Sequence, residues 1–312
     1  MNSIPELIFI VPFRNRGSQL NVFLNHMKWL LEGKKYEIII SHQNDKRFFN
    51  RGAMKNLGFL YAKEKYPNDY KNITFVFHDV DCLVSEKEMT NFQTTMGRVK
   101  HIFGFRQTLG GIFSIKGQDY EAINGFPCVW NWGYEDNALR RRWVYYKEKS
   151  NAYNPLCIDY SEFYKFQDKR IVQMWHGDKK ICNKQQAYES FANALISKDG
   201  LMTIRNINKT VTEIDNYVTQ VNYNTFTVIT PHPSSAIISA LTTRRQLDWS
   251  PQKLTGSSVT RNSFKKILDI INGKYDYMLN QERIDIFAET IKSKYSYEQG
   301  YNKLLQILNI SR

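Results

Sequence analysis

The sequence lacks any apolar run approaching the roughly 20 residues that cross a bilayer. Its longest, Leu7 to Phe13, has only the length of a strand. The opening residues show none of the basic, apolar and small-residue succession of a secretory signal. Neither anchoring nor export is therefore expected, and the chain reads as soluble and cytoplasmic. Cysteine is scarce: Cys82, Cys128, Cys157 and Cys182 have neither CxxC spacing nor the density of a secreted scaffold. That argues against a disulfide framework and for buried, reduced thiols. The N-x-S/T triplets at Asn72 and Asn208 are then chance matches. Internal repeats, low-complexity tracts and a basic tail are absent as well.

What the chain has is enough apolar residue for a core. Of its 312 residues, 42% are hydrophobic and 23% charged, a composition neither disordered nor fibrous. At 36.8 kDa it suits one large domain or two modest ones. Forty-three Lys and Arg against 30 Asp and Glu give a net charge of +13. Such an excess favours an anionic partner: nucleic acid, acidic lipid or a phosphorylated small molecule. The charge is spread, +8 over residues 1–230 and +5 over 231–312, so a dedicated nucleic-acid binder is not expected.

Residues 7–12 form an apolar run closed by Pro12 and followed by Arg14-Asn15-Arg16-Gly17. This predicts a buried strand, a polar loop and an amphipathic helix from Gln19 to Leu31. Glu37 to Ser41 reads as a second strand, and Arg51 to Lys65 has helical spacing at Met54, Leu57, Phe59 and Tyr61. Asn72 to His78 reads as a third strand, running straight into Asp79-Val80-Asp81. The alternation implies an α/β protein with a parallel, largely buried sheet and helices on both faces. Gly110 to Ile115 reads as another strand and Lys116 to Asn124 as a short helix. A Trp-rich loop, Val129 to Tyr134, precedes Glu135-Asp136, which open a helix through Tyr146. Residues 201–230 hold β-rich pieces such as Tyr223 to Ile229. The turn-rich Thr230 to Ser235 predicts a boundary between a domain over 1–230 and a mostly helical extension over 231–312.

In sheets of this type ligands bind beyond the carboxyl ends of the strands. Two loops fall there, Arg14/Arg16 after the first strand and Asp79/Asp81 after the third. Acidic residues two apart in extended backbone point the same way. Facing a basic loop, they suit a divalent cation bridged to a phosphate; equally, D-x-D arises by chance and can simply end a strand. Glu135 and Asp136 have the same double reading. Acids at a helix N-terminus are favoured by the dipole, yet beside Trp130, Trp132 and Gly133 they also suit a sugar. Indole faces stack on the C–H faces of sugars, and a carboxylate binds hydroxyls or takes a proton. Trp143, on the helix, reads as core. His176, in Met174-Trp175-His176, is either an imidazole ligand or a satisfied polar group, and His26, His42, His101 and His232 carry no such context.

Taken in order, five blocks resemble the β-1,4-galactosyltransferase family of inverting, metal-dependent GT-A glycosyltransferases: VPFRNR (11–16), FFNRGAMKNLGF (48–59), FHDVDCL (77–83), GGIFSIKGQDYEAINGFP (110–127) and WNWGYEDNALRRR (130–142). KDGLMT (198–203) is a weaker echo. The resemblance implies a GT-A, Rossmann-like nucleotide-sugar-binding fold over residues 1–230. It implies that Pro12, Phe13, Arg14 and Arg16 hold the nucleotide and diphosphate, with Phe49, Asn50 and Arg51 around the uracil and ribose. Val80 and Asp81 would contact the nucleotide and Asp79 the donor sugar. Asp81, His176 and Met174 would hold a divalent cation, Mn2+ rather than Mg2+ given so mixed a ligand shell. Thr108, Gly110, Gly111, Trp132, Gly133, Tyr134 and Glu135 would line the sugar and acceptor sites. Asp136 would be the catalytic base, with Glu135 beside it. One such carboxylate suffices for single displacement with inversion, and no covalent intermediate is needed.

Two departures bear on substrate. Tyr134 stands where the family usually has glycine, beside the catalytic pair. Thr108 falls where the animal galactose enzymes carry a tyrosine that limits bulk on the donor sugar's second carbon, which implies room for an N-acetyl group. The implied activity is transfer of galactose or N-acetylgalactosamine from a UDP-sugar to a glycan hydroxyl. A UDP-glucose- or UDP-xylose-using transferase and a non-catalytic sugar- or nucleotide-binding relative are the alternatives. The animal members are membrane-anchored Golgi proteins with disulfides, so the present pattern implies a soluble relative of bacterial or viral type. Neither nucleic acid nor a membrane span is implied, and nothing indicates an oligomeric state or a role for 231–312.

Overall fold

The computed structural model describes residues 4–85, 87, 91–130, 133–150, 157–165, 168, 170–174 and 189–232. The chain divides into two compact units, Met1–Thr242 and Thr243–Arg312. All described residues belong to the first, and the helical extension expected over 231–312 lies outside them except for Pro231 and His232.

The architecture follows from β1 (Leu7–Phe13), whose seven residues are all buried. Successive side chains of a strand leave on opposite faces, so a wholly apolar strand serves two cores at once. Ile8 and Ile10 join one cluster with Phe75, Phe77, Tyr120 and Trp143. Leu7, Phe9 and Val11 join the other with Phe23, Met27 and Val84. The 14-residue α1 (Gly17–Leu30) covers the second face with Leu20, Phe23, Met27 and Leu30. β2 (Tyr36–Gln43), α2 (Arg51–Lys65) and β3 (Thr74–His78) complete the nucleus. Both strands run parallel to β1, which places Ile10 between Ile39 and Phe77. Helix α2 packs Met54, Leu57 and Phe59 on the first face.

Past β3 the sheet stops being parallel, which corrects the expectation of a parallel sheet. After β4 (Cys82–Val84) and β5 (Val99–Gly104), β6 (Ile112–Lys116) lies antiparallel between β3 and β5. Its direction has a simple cause. The chain enters β6 at the end where β3 stops, with Ile112 opposite His78, whereas a parallel entry needs a long crossover back to the other end. Next come α3 (Gly117–Ala122) and α4 (Glu135–Lys149), which bring Tyr120, Leu139 and Trp143 to the first face; Trp143 is core, as expected.

β7 (Ile158–Asp159) and β8 (Tyr164–Lys165) each pair parallel with β5, and β9 (Ile171–Gln173) pairs with β4 in a separate two-stranded sheet. β10 (Arg205–Glu213) and β11 (Val218–Thr227) form a hairpin whose second strand lies parallel to β2. The main sheet has nine strands in the order β10-β11-β2-β1-β3-β6-β5-β7, with β8 on β5. Cys82, Cys128 and Cys157 are free and buried; Cys182 lies outside the described residues. Among the described residues, no helix is long and apolar enough to cross a membrane.

Candidate active site

At the carboxyl edge of the parallel strands, two strand ends and two helix starts converge. The loop after β1 carries Arg14 and Arg16, and the loop after β3 carries Asp79 and Asp81. Helix α2 opens on Arg51, and α4 opens on Glu135 and Asp136.

The start of α2 is fixed from three sides by Asn50. Its Oδ1 accepts from the Ala53 N–H at 2.9 Å, its Nδ2 donates to the Cys128 carbonyl at 3.0 Å, and its own N–H donates to Gln43 Oε1 at 2.7 Å. The residue is fully buried, so the side chain expected near the uracil is instead an N-cap with both ends in use. That cap aims Arg51. Its Nη2 donates to Asp79 Oδ1 and Oδ2 at 2.7 and 2.6 Å. Its Nη1 donates to Glu135 Oε1 at 2.7 Å and to Asp136 Oδ1 and Oδ2 at 3.0 and 2.9 Å. Arg51, expected around the uracil and ribose, is here held by three converging carboxylates.

Lys55 sits one turn further along α2, 3.3 Å from Asp136 Oδ1 and 3.8 Å from Asp79 Oδ1, with its ammonium 4.5 Å from the centre of the Phe126 ring. The sequence reading passed over this residue. The available signal was its spacing of four from Arg51, which puts both cations on one side of the helix. The charges act on one another. Burial alone would raise the Asp79 carboxyl, but Arg51 and Lys55 prevail and bring it down to about 2. For Arg51 burial works against the charged form, and Asp136, Asp79 and Glu135 together still hold it well above its ordinary value.

Asp136 is seated by backbone. Its carbonyl accepts from the Leu109 N–H at 3.0 Å, and its carboxylate lies so close to Gly110 that a Cβ there would come within 2.2 Å of Oδ2. The next residue, Gly111, has φ +68 and accepts from the Asp79 N–H at 3.1 Å. Expected as part of the sugar site, these two glycines thus form a backbone bridge between Asp79 and Asp136. Glu135 is buried, with Oε2 accepting from the Gly133 N–H at 3.2 Å. Tyr134 precedes α4 at φ 58, its ring half exposed and 5.8 Å from that of Phe191. Thr108 is buried, its hydroxyl donating to the Phe105 carbonyl at 2.9 Å within its own turn.

On the other side of Asp79, the buried Asp81 carboxylate accepts from Arg16 Nη1 at 3.2 Å. Its carbonyl accepts from the Met174 N–H at 2.7 Å, which puts a buried thioether residue next to it. His176, expected to complete this set, and Trp132 lie outside the described residues. Among the described residues no group of three or more His, Cys, Asp and Glu could hold a metal ion. A buried carboxylate and a neighbouring thioether residue, with an imidazole residue two positions further along the chain, nevertheless suit a borderline divalent cation better than Ca2+ or Mg2+.

Several expected donor contacts face elsewhere. Arg14 donates to the carbonyls of Asp45, at 3.1 Å, and Arg47, so it braces that loop. Val80 turns its side chain into the core, and Pro12 is buried in β1. Phe13 packs its ring 5.1 Å from His42, and Phe49 is partly buried against the first cluster. Trp130, read as a sugar-stacking indole, is buried: it stacks on Phe226 at 5.7 Å and donates to the Thr230 carbonyl at 2.8 Å.

This architecture is the GT-A fold. The chain superposes with a TM-score of 0.54 on the catalytic domain of Drosophila beta1,4galactosyltransferase 7 in complex with xylobiose, at 20% identity over 76% of this chain and 98% of that one. A mutant of the same enzyme, in complex with manganese, UDP-Gal and xylobiose, gives 0.52 at 19% identity. The family model for the N-terminal region of glycosyl transferase group 7 matches residues 2–94, and that described as the N-terminal domain of galactosyltransferase matches 90–169. Beta-1,4-galactosyltransferase 4 of Cricetulus griseus is 31% identical over 180 residues, 54% of this chain and 51% of that one. Beta-1,4-galactosyltransferase 7 of Homo sapiens is 33% identical over 147 residues, 44% and 43% of the two chains. The chain belongs to the β-1,4-galactosyltransferase family. It spans about half the length of the curated relatives it matches.

Proposed function

We propose that this chain is an inverting glycosyltransferase that moves galactose or N-acetylgalactosamine from a UDP-sugar to the hydroxyl of a glycan acceptor. The observation that carries the reading is Arg51, which grips Asp79 at the end of a central strand and Asp136 at the start of α4 with one guanidinium. A donor-side carboxylate and a candidate base thus share a frame. The solved relative in complex with manganese, UDP-Gal and xylobiose supports a UDP-sugar as donor and a sugar as acceptor.

In this reading Asp81, Met174 and His176 would hold a Mn2+ ion. When bound, the ion supplies positive charge against the departing diphosphate. Arg16, beside Asp81, donates to phosphate oxygens from the same side. Asp79 orients hydroxyls of the donor sugar. Asp136 accepts the proton of the acceptor hydroxyl at its carboxylate; the oxygen bonds to the anomeric carbon on one face as the bond to the diphosphate breaks on the other. The configuration inverts in a single step. Glu135, fixed by Gly133 and Arg51, accepts from acceptor hydroxyls, and the exposed Tyr134 ring borders the acceptor side.

UDP release from UDP-Gal and UDP-GalNAc, measured with Mn2+ and an acceptor panel, tests this. Asp136→Asn should lose roughly 10²- to 10⁴-fold in kcat while still binding UDP. Asp81→Ala should lose metal-dependent UDP binding. Turnover undiminished in the first variant, or an unaltered metal response in the second, refutes the assignment.

A further inference from the structure

The enclosed ammonium of Lys55 has no task in the mechanism above. Its side chain is 0% exposed, and a buried charge is tolerated only where it is paired. A leucine or methionine would fill the same part of α2 with no charge to satisfy. Its contacts are the Asp136 and Asp79 carboxylates and the ring of Phe126.

Arg51 does not make Lys55 redundant. The Arg51 side chain is 15% exposed, and its Nη1 is divided among Glu135 and both oxygens of Asp136. Any phosphate or hydroxyl arriving in the site competes for it. No solvent or substrate reaches Lys55, so its hold on Asp136 Oδ1 persists when Arg51 is engaged. We propose that Lys55 is a positioning residue of the transfer reaction, an anchor behind the base that keeps Asp136 in register with Asp79 throughout turnover. The inference rests on the reading of Asp136 as base. The charged and titratable groups facing Asp136 are Arg51 and Lys55 from α2, Asp79 from the loop after β3, its neighbour Glu135 in α4, and the buried His101 of β5.

The test is Lys55→Met, which keeps length and volume and removes the charge. For an anchor, kcat falls by ~10-fold or more with both KM values nearly unchanged. Lys55→Arg restores part of kcat. A second arm needs no turnover: in a cycle of Lys55→Met, Asp136→Asn and the double variant, urea midpoints should be non-additive, the double variant losing less than the two singles combined. If Lys55→Met does not fold, Lys55→Gln carries the same expectations. Additive midpoints, or parental kcat in the uncharged variant, overturn the inference while leaving the glycosyltransferase reading in place. A parent chain that releases UDP from no donor overturns both.

Discussion

Gly110 sets the position of the candidate base by having no side chain. The Cβ of an alanine there would lie 2.2 Å from Asp136 Oδ2 and 2.5 Å from Cγ, well inside contact distance. Relief requires the carboxylate to move, since Gly110 is followed by Gly111, whose carbonyl holds the Asp79 N–H. A displacement near 1 Å at a reacting group costs on the order of 100-fold in rate. Gly110→Ala should therefore lower kcat by about that factor while UDP affinity by calorimetry stays near parental, because Arg16 and Asp81 are untouched. Residues at this scale were legible unevenly. Asp79, Asp81, Glu135 and Asp136 stood out by their company, the first pair at a strand end facing a basic loop and the second beside a Trp-rich loop. Lys55 stayed hidden inside a helical pattern. For Arg14 and Trp130 the residue type says what a side chain can bind, and only the fold says what it faces: the carbonyls of Asp45 and Arg47 for the first, Phe226 for the second.

Helix α2 is the element on which the site turns, since it presents both cations from one rigid axis. Its bounds, Arg51 to Lys65, agree with the sequence reading because apolar spacing is a local signal. The direction of β6 was not legible, because strand pairing is decided by where a loop returns the chain. Asn50→Ala removes the α2 cap and leaves the buried Cys128 carbonyl without its donor. The expected loss is about 2 kcal/mol in unfolding free energy, with a fall in kcat as the first turn and Arg51 loosen. Asn50→Asp keeps the acceptor for Ala53 but cannot donate to Cys128, so it should fall between parent and alanine variant. An alanine variant with parental stability would show that the cap does not hold the helix start.

At the scale of the whole molecule, two buried histidines make the largest contribution to the acid response among the described histidines, with His26 lowered by burial in the same direction. His78 ends β3 and His101 lies in β5; burial pushes both from 6.5 to about 4, against the smaller opposing effect of their backbone hydrogen bonds. The unfolded chain takes up protons at these rings below about 6.5, whereas the native protein refuses them until about 4. Stability is therefore full above about 6.5, falls as pH drops through that interval, and levels off near 4 once the native rings protonate too. Each contributes roughly 3 kcal/mol across the window, at ~1.4 kcal/mol per unit. Asp79 acts lower: its stabilisation is complete above 3.8 and is lost only as pH falls toward about 2. Urea midpoints followed downward from neutral pH should thus begin to decline at about 6.5, well above the interval in which Asp79 acts. His101→Phe should make that slope clearly shallower, and an unchanged slope in the variant would assign the acid sensitivity to other groups.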